Sequence, residues 1–219
     1  MTTPVNGDPA PRAYRSTVRS QRAAATRSAV LRAARELFTG QGYAATTVTD
    51  VARRAGVAVD TVYAAVGRKP ELARAVVDMV LASGDEPLPA EQRDYVRRIR
   101  STPGARAKLA VYAEALGHLL PVFAPLQEAL REAAATDPGC ATAWRGLVER
   151  RAANMLLLAH DLRATGELRD DLDDRTVADI VWATNSAEYY GLLRQRGWDD
   201  AAVAAHLVDL WSRVLLRWP

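Results

Sequence analysis

The chain has 219 residues, 49% of them hydrophobic and 25% charged, which suits a soluble globular protein of one large domain or two small ones and excludes a disordered or fibrous chain. One cysteine, Cys140, rules out an internal disulfide, and no uncharged apolar run nears the roughly 18 residues that cross a bilayer. Residues 1–80 hold 12 Lys and Arg against 6 Asp and Glu, a net of +6, whereas residues 81–219 hold 17 against 20, a net of −3, as expected of a nucleic-acid-binding head on a separate body.

Residues 1–20 carry Pro4, Asp8, Pro9, Pro11 and arginines without an apolar stretch. They read as a disordered basic tail and not as a secretory signal, so a cytoplasmic protein is expected. Val30, Ala34, Leu37 and Phe38 then recur at helical spacing and predict a helix over 22–39, stopped by Gly40 and Gly42. Thr47, with Asp50 in the capping-box position, predicts a short helix through Arg54. Gly56 supplies a tight turn, and a second short helix begins at Ala58 or Asp60 and carries Thr61, Val62, Tyr63 and Val66. Val51, Ala52, Val57 and Val62 are apolar where two crossing helices touch, which is a helix-turn-helix pattern. Pro70 and Glu71 open a fourth helix that runs to Ala82, and DEPLPAEQ at 85–92 reads as a linker. The chain therefore divides into a tail at 1–20, a head at 21–84 and a body at 85–219.

The body lacks the alternation of strands, and helices are expected at 92–100, 104–120, 125–135, 140–165, 173–196 and 199–217. The fold class is all-α: a small helix-turn-helix head on a larger helical bundle. His118, His160 and His206 stand far apart, and no zinc, P-loop, dinucleotide or nucleophile-elbow motif occurs, so neither a metal nor a cofactor is expected. An all-helical enzyme with Glu114 or Glu188 as its base lacks a second catalytic group at useful spacing.

The run AARELFTGQGYAATTVTDVARRAGVAVDTVYAAVGRKPEL, residues 33–72, resembles the DNA-binding head of TetR/AcrR-type transcriptional regulators. It has the LF end of the first helix, the G-Y turn, the T-T cap, the V-A pair, the G-V turn, the T-V-Y recognition helix and the K-x-x-L fourth helix, in order. Val66-Gly67 departs from the usual aromatic and polar pair, and Gly67 should end the recognition helix early. The resemblance implies a homodimer that binds a palindromic double-stranded DNA operator and releases it when a small molecule enters the body. It places Tyr63 and Lys69 at phosphate contacts, and Thr49, Val59, Asp60, Ala64 and Ala65 opposite base edges. Thr47 as helix cap and Thr61 beside Tyr63 complete the DNA-binding set, while Arg19 and Arg22 are a candidate arm. Val and Ala read only thymine methyls or shape, so specificity is expected to rest on Thr49, Thr61 and DNA shape.

In the body, Tyr112 and its helix are apolar on two sides, which suits the centre of a bundle around a pocket. Phe123, Trp144, Met155, Trp182 and Tyr189 are candidate walls, and His118, Asn154 and Glu188 are candidate polar contacts; for each, a packed core explains the residue as well. Val177, Ile180, Val181 and Tyr190, with Leu207, Leu210, Trp211 and Val214, give more apolar stripe than two terminal helices hide within one subunit, and predict a dimer interface. The reading is a homodimeric, ligand-responsive repressor with no membrane partner. A helical small-molecule-binding protein without operator specificity is the alternative, kept open by the thin base-reading set.

Overall fold

The computed structural model of the chain describes residues 11–82 and 89–217, among which run ten α-helices and a single isolated bridge, Leu168 to Leu216. α1 spans Pro11–Gln41, so residues 11–20, expected as tail, are helical. Proline at a first helical position forfeits no hydrogen bond, because the first amides of a helix have no partner in any case. The rest of the expected tail, residues 1–10, lies outside the described residues, as do residues 85–88 of the expected linker.

α2 (Val48–Ala55), α3 (Val59–Ala65) and α4 (Lys69–Ala82) complete the head. Gly56 caps α2 in the left-handed region at φ 70°, where its amide reaches back to the Ala52 and Arg53 carbonyls, and α3 ends at Ala65, ahead of Gly67 at φ 120°. Val30, Leu31, Phe38, Val51, Val62 and Val76 form the head's core. That core continues into the body through Phe123, Leu126 and Leu130 on one body helix and Cys140 and Leu147 on the next.

The body consists of α5 (Asp94–Ser101), α6 (Ala105–Ala133), α7 (Pro138–Arg163), α8 (Asp174–Thr184), α9 (Ala187–Gln195) and α10 (Asp200–Leu215). α6 replaces the two helices expected at 104–120 and 125–135, running through Pro121 and Pro125. Two interior prolines cost on the order of 3 kcal/mol each. Leu116, Leu120, Phe123, Leu126 and Leu130, all buried along the same stretch, contribute about 2 kcal/mol each and outweigh that cost. By length and composition α6 would cross a membrane, yet half of its most apolar window is buried against its neighbours, as befits the central helix of a bundle. It meets α1 and α4 at one end and α5, α7, α9 and α10 along the rest.

The helix expected at 173–196 is broken at Asn185 and Ser186. The Ser186 hydroxyl accepts from the Tyr189 amide at 3.1 Å and starts α9 as its N-cap, while the Asn185 side chain turns inward. Short polar side chains compete in this way with the helical ladder.

Candidate DNA-reading head and effector cavity

The capping box of α2 is complete. The Asp50 amide donates to the Thr47 hydroxyl at 3.1 Å, and the Thr47 amide and hydroxyl both donate to the Asp50 carboxylate, at 3.0 and 2.6 Å. Both donors that were candidates for a phosphate are thus engaged inside the box. The hydrogen bonds from Thr47 hold the Asp50 carboxyl below its ordinary range, with Arg53 adding to the effect. A group depressed in this way stabilises the fold above its unfolded pKa, and the contribution is lost as pH falls through the folded value. Thr47→Val, which removes the hydroxyl, is expected to raise the Asp50 pKa towards its ordinary value in a carboxyl NMR titration; an unmoved Asp50 would refute this account.

α3 buries Val62 completely and turns its other side outward, with Tyr63 47% exposed and Asp60 and Ala64 exposed. Thr61 is half-buried, Val59 packs partly against the head core, and Thr49 on α2 is exposed. Lys69 is less free than expected of a phosphate ligand. Its ammonium donates to the Ala44 carbonyl at 3.3 Å and sits 4.2 Å above the Tyr43 ring, and burial lowers its pKa. Arg19 and Arg22 are exposed on α1. Arg27, which the sequence did not single out, donates to the Ala65 carbonyl at 2.6 Å and so ties α1 to the C-terminal end of α3. Arginine at a helix C-terminus satisfies a carbonyl and complements the dipole. Arg54 pairs with Glu36 at 2.6 Å across α2 and α1, near the surface.

In the body, a cavity of about 120 Å³ opens between α5, α6 and α7. Leu116, Leu119, Leu120, Phe123, Met155 and Leu158 make its apolar walls. Its polar edge is a connected set. The Asn185 amide donates to the Tyr112 hydroxyl at 2.7 Å and to Met155 Sδ at 3.0 Å, and its Oδ1 accepts from Arg151 at 2.6 Å. Tyr112 is buried between Tyr95 and Trp211, whose rings stack on it at 6.3 and 5.7 Å, and burial raises its pKa.

Of the nine candidate ligand residues, the cavity brings together Tyr112, Phe123, Asn154 and Met155. His118 is not among them: it lies on the exposed side of α6, because the i+4 ridge through Leu116, Leu120 and Ala124 takes the buried side. Glu188 is likewise exposed and pairs with Arg131 at 3.7 Å. Trp144 packs partly against the core shared with the head. Tyr189 bonds His206 at 2.6 Å and stacks on it, and Trp182 is not part of the lining, with Arg151 5.2 Å from its ring. Arg93, Arg151 and Asn185 line the cavity although none of them was among the ligand candidates. The T-N-S run at 184–186, inside an otherwise helical pattern, was the one available signal for Asn185.

The predicted dimer stripe also needs correction. Val177, Val181, Leu207 and Trp211 are 0–1% exposed and Tyr190 is buried, so these five close the body's own core, the first two from α8, which packs on α7, and the others from α9 and α10, which pack on α6. Ile180, Leu210 and Val214 remain partly exposed. The stripe was overcounted because α6, expected to stop at Pro121, presents a longer apolar surface for α9 and α10 to cover.

Residues 30–76 match the family described as bacterial regulatory proteins, tetR family. None of the curated proteins matches the chain. Among solved structures, a protein from a Rhodococcus species described as a TetR-family transcriptional regulator superposes with a TM-score of 0.67 at 19% identity, covering 87% of this chain and 98% of that one. A transcriptional regulator described from Saccharomonospora viridis, in complex with choline, gives 0.68 at 17%, covering 88% and 98%. The regulator FadR from Bacillus subtilis, in complex with stearoyl-CoA, gives 0.65 at 17%, covering 84% and 96%. At such identities the likeness shows the fold, and the family match is confined to the head. Residues 30–76 thus carry a tetR-family DNA-binding head, on a body with the fold of solved TetR-family regulators.

Proposed function

We propose that the protein is a cytoplasmic, homodimeric repressor that binds a palindromic operator through α2 and α3 and releases it when a small molecule enters the cavity. The head comprises residues 21–84 and the effector-binding and dimerisation body residues 85–219. One observation carries the reading: Phe123 lines the cavity and at the same time belongs to the core that holds α1 and α4. A ligand pressing on Phe123 and Leu119 therefore acts on the helix that sets the angle of the head, and interiors packed this densely transmit such strain. Arg150 of α7 reaches Asp78 of α4 at 3.4 Å and gives a second, more exposed link.

A gel shift with DNA flanking the protein's own gene tests the proposal. A palindromic fragment is expected to be retained and then released by an effector. Tyr63→Phe should weaken binding to all sequences alike, by about tenfold if its hydroxyl meets a phosphate. Lys69→Gln should lower the log–log salt slope by about 0.9 if the ammonium neutralises a phosphate. Equal slopes would leave Lys69 as the clamp on the Ala44 turn. The alternative, a small-molecule-binding protein without an operator, predicts retention of no fragment in preference to random DNA.

A further inference from the structure

Arg151 lies at the cavity edge without a countercharge of its own. Its Nη2 donates to two neutral acceptors, Asn185 Oδ1 at 2.6 Å and the Trp182 carbonyl at 3.1 Å. Among the described residues no carboxylate forms an ion pair with it, and Glu188, the acid whose charge bears on it, is held at the surface by Arg131. Arg93 lines the same cavity from the N-cap of α5, and its buried Nε has no hydrogen-bond partner. Both guanidinium groups bear on the Tyr112 hydroxyl. The acids in the lining do not balance them: Asp161 is paired with buried Lys108 at 3.1 Å, and Glu91 is exposed. Withdrawing a charge from water without pairing it is costly, and the cost depresses the Arg151 pKa. Relatives of this fold are described with choline and with stearoyl-CoA, of opposite charge, so the sign of the effector has to be read from this chain's own lining.

Resting on the reading of the cavity as the effector site, we propose that the effector is an anionic amphiphile, a monocarboxylate whose acid group pairs with Arg151 and Arg93 while its apolar body lies against Leu116, Leu120, Phe123 and Leu158. The planar guanidinium fork matches the two oxygens of a carboxylate. Asn185, fixed by Tyr112 and Met155, holds Arg151 in place through its Oδ1.

Calorimetric titration of the full chain with octanoate, 1-octanol and octylamine tests this. Octanoate is expected to bind at least about tenfold more tightly than octanol, with octylamine weakest. Arg151→Met should abolish the preference while leaving octanol affinity within about twofold. The proposal is overturned if octanol or octylamine binds the unmodified protein as well as octanoate does, if octanoate does not bind, or if Arg151→Met keeps the preference. The comparison on the unmodified protein stands whether or not the variant folds. DNA release is measured separately. Equal release by octanoate and octanol would sink the anion proposal and leave the regulator intact, whereas octanoate binding without release would uphold the anion site and sink the release mechanism.

Discussion

Trp211→Ala is expected to destabilise the folded chain by about 3–5 kcal/mol, the range found when a fully buried large aromatic is cut to alanine. Trp211 is wholly buried, stacks on Tyr112 at 5.7 Å and donates its indole N–H to Thr184 Oγ1 at 2.7 Å. The truncation removes the indole from the centre of the body and leaves Thr184 without its donor. Because whole domains are stable by about 5–15 kcal/mol, roughly a fifth or more of the total would be lost. Denaturant unfolding of the variant measures this directly. It also separates two roles for the same residue: at a subunit interface, truncation would dissociate the dimer and leave the protomer's unfolding midpoint nearly unchanged at low protein concentration. A midpoint within the error of the unmodified protomer would refute the core assignment.

The helix-turn-helix was legible because its signals are local. The Thr47 cap, the Gly56 turn and the buried Val62 each follow from a side chain and its neighbours in sequence, and the structure places all three where the pattern puts them. Body boundaries were less legible, because tertiary packing overrides propensity: Pro121 and Pro125 read as breaks, yet the surroundings of α6 carry the helix through them. The candidate effector cavity was half legible. Tyr112, Phe123 and Met155 announce themselves as large apolar residues on a two-sided helix or its neighbour, but His118 and Glu188 were chosen for their chemistry without knowledge of which side they face. Arg151 was passed over as a ligand residue for a related reason. Arginine on a long amphipathic helix is ordinarily solvated, and nothing short of the approach of α8 to α7 brings the Asn185 side chain to it.

The proposed dimer is expected to fail when the part of the stripe still open to solvent is charged. A recognition helix of seven residues touches too few base pairs to select one site in a genome, so two heads must act together, about 34 Å apart on one face of the duplex. Leu210 and Val214 stand one turn apart on α10 and remain half-exposed within the protomer, unlike Leu207 and Trp211 on the buried side. Covering this pair on each of two protomers, at about 1 kcal/mol for each half-buried side chain, would stabilise the proposed dimer by about 4 kcal/mol, or on the order of a thousandfold in dissociation constant. Leu210→Glu combined with Val214→Glu removes that term and sets like charges against each other across the two-fold axis. Since both positions already meet solvent in the protomer, the variant should fold and sediment as a monomer. Its affinity for a palindromic site should fall by about 100-fold or more as the second head ceases to be tethered, although the head itself is untouched. If the double variant still sediments as a dimer, or if the unmodified protein is a monomer at micromolar concentration and yet binds the palindrome tightly, α10 does not hold the two heads together.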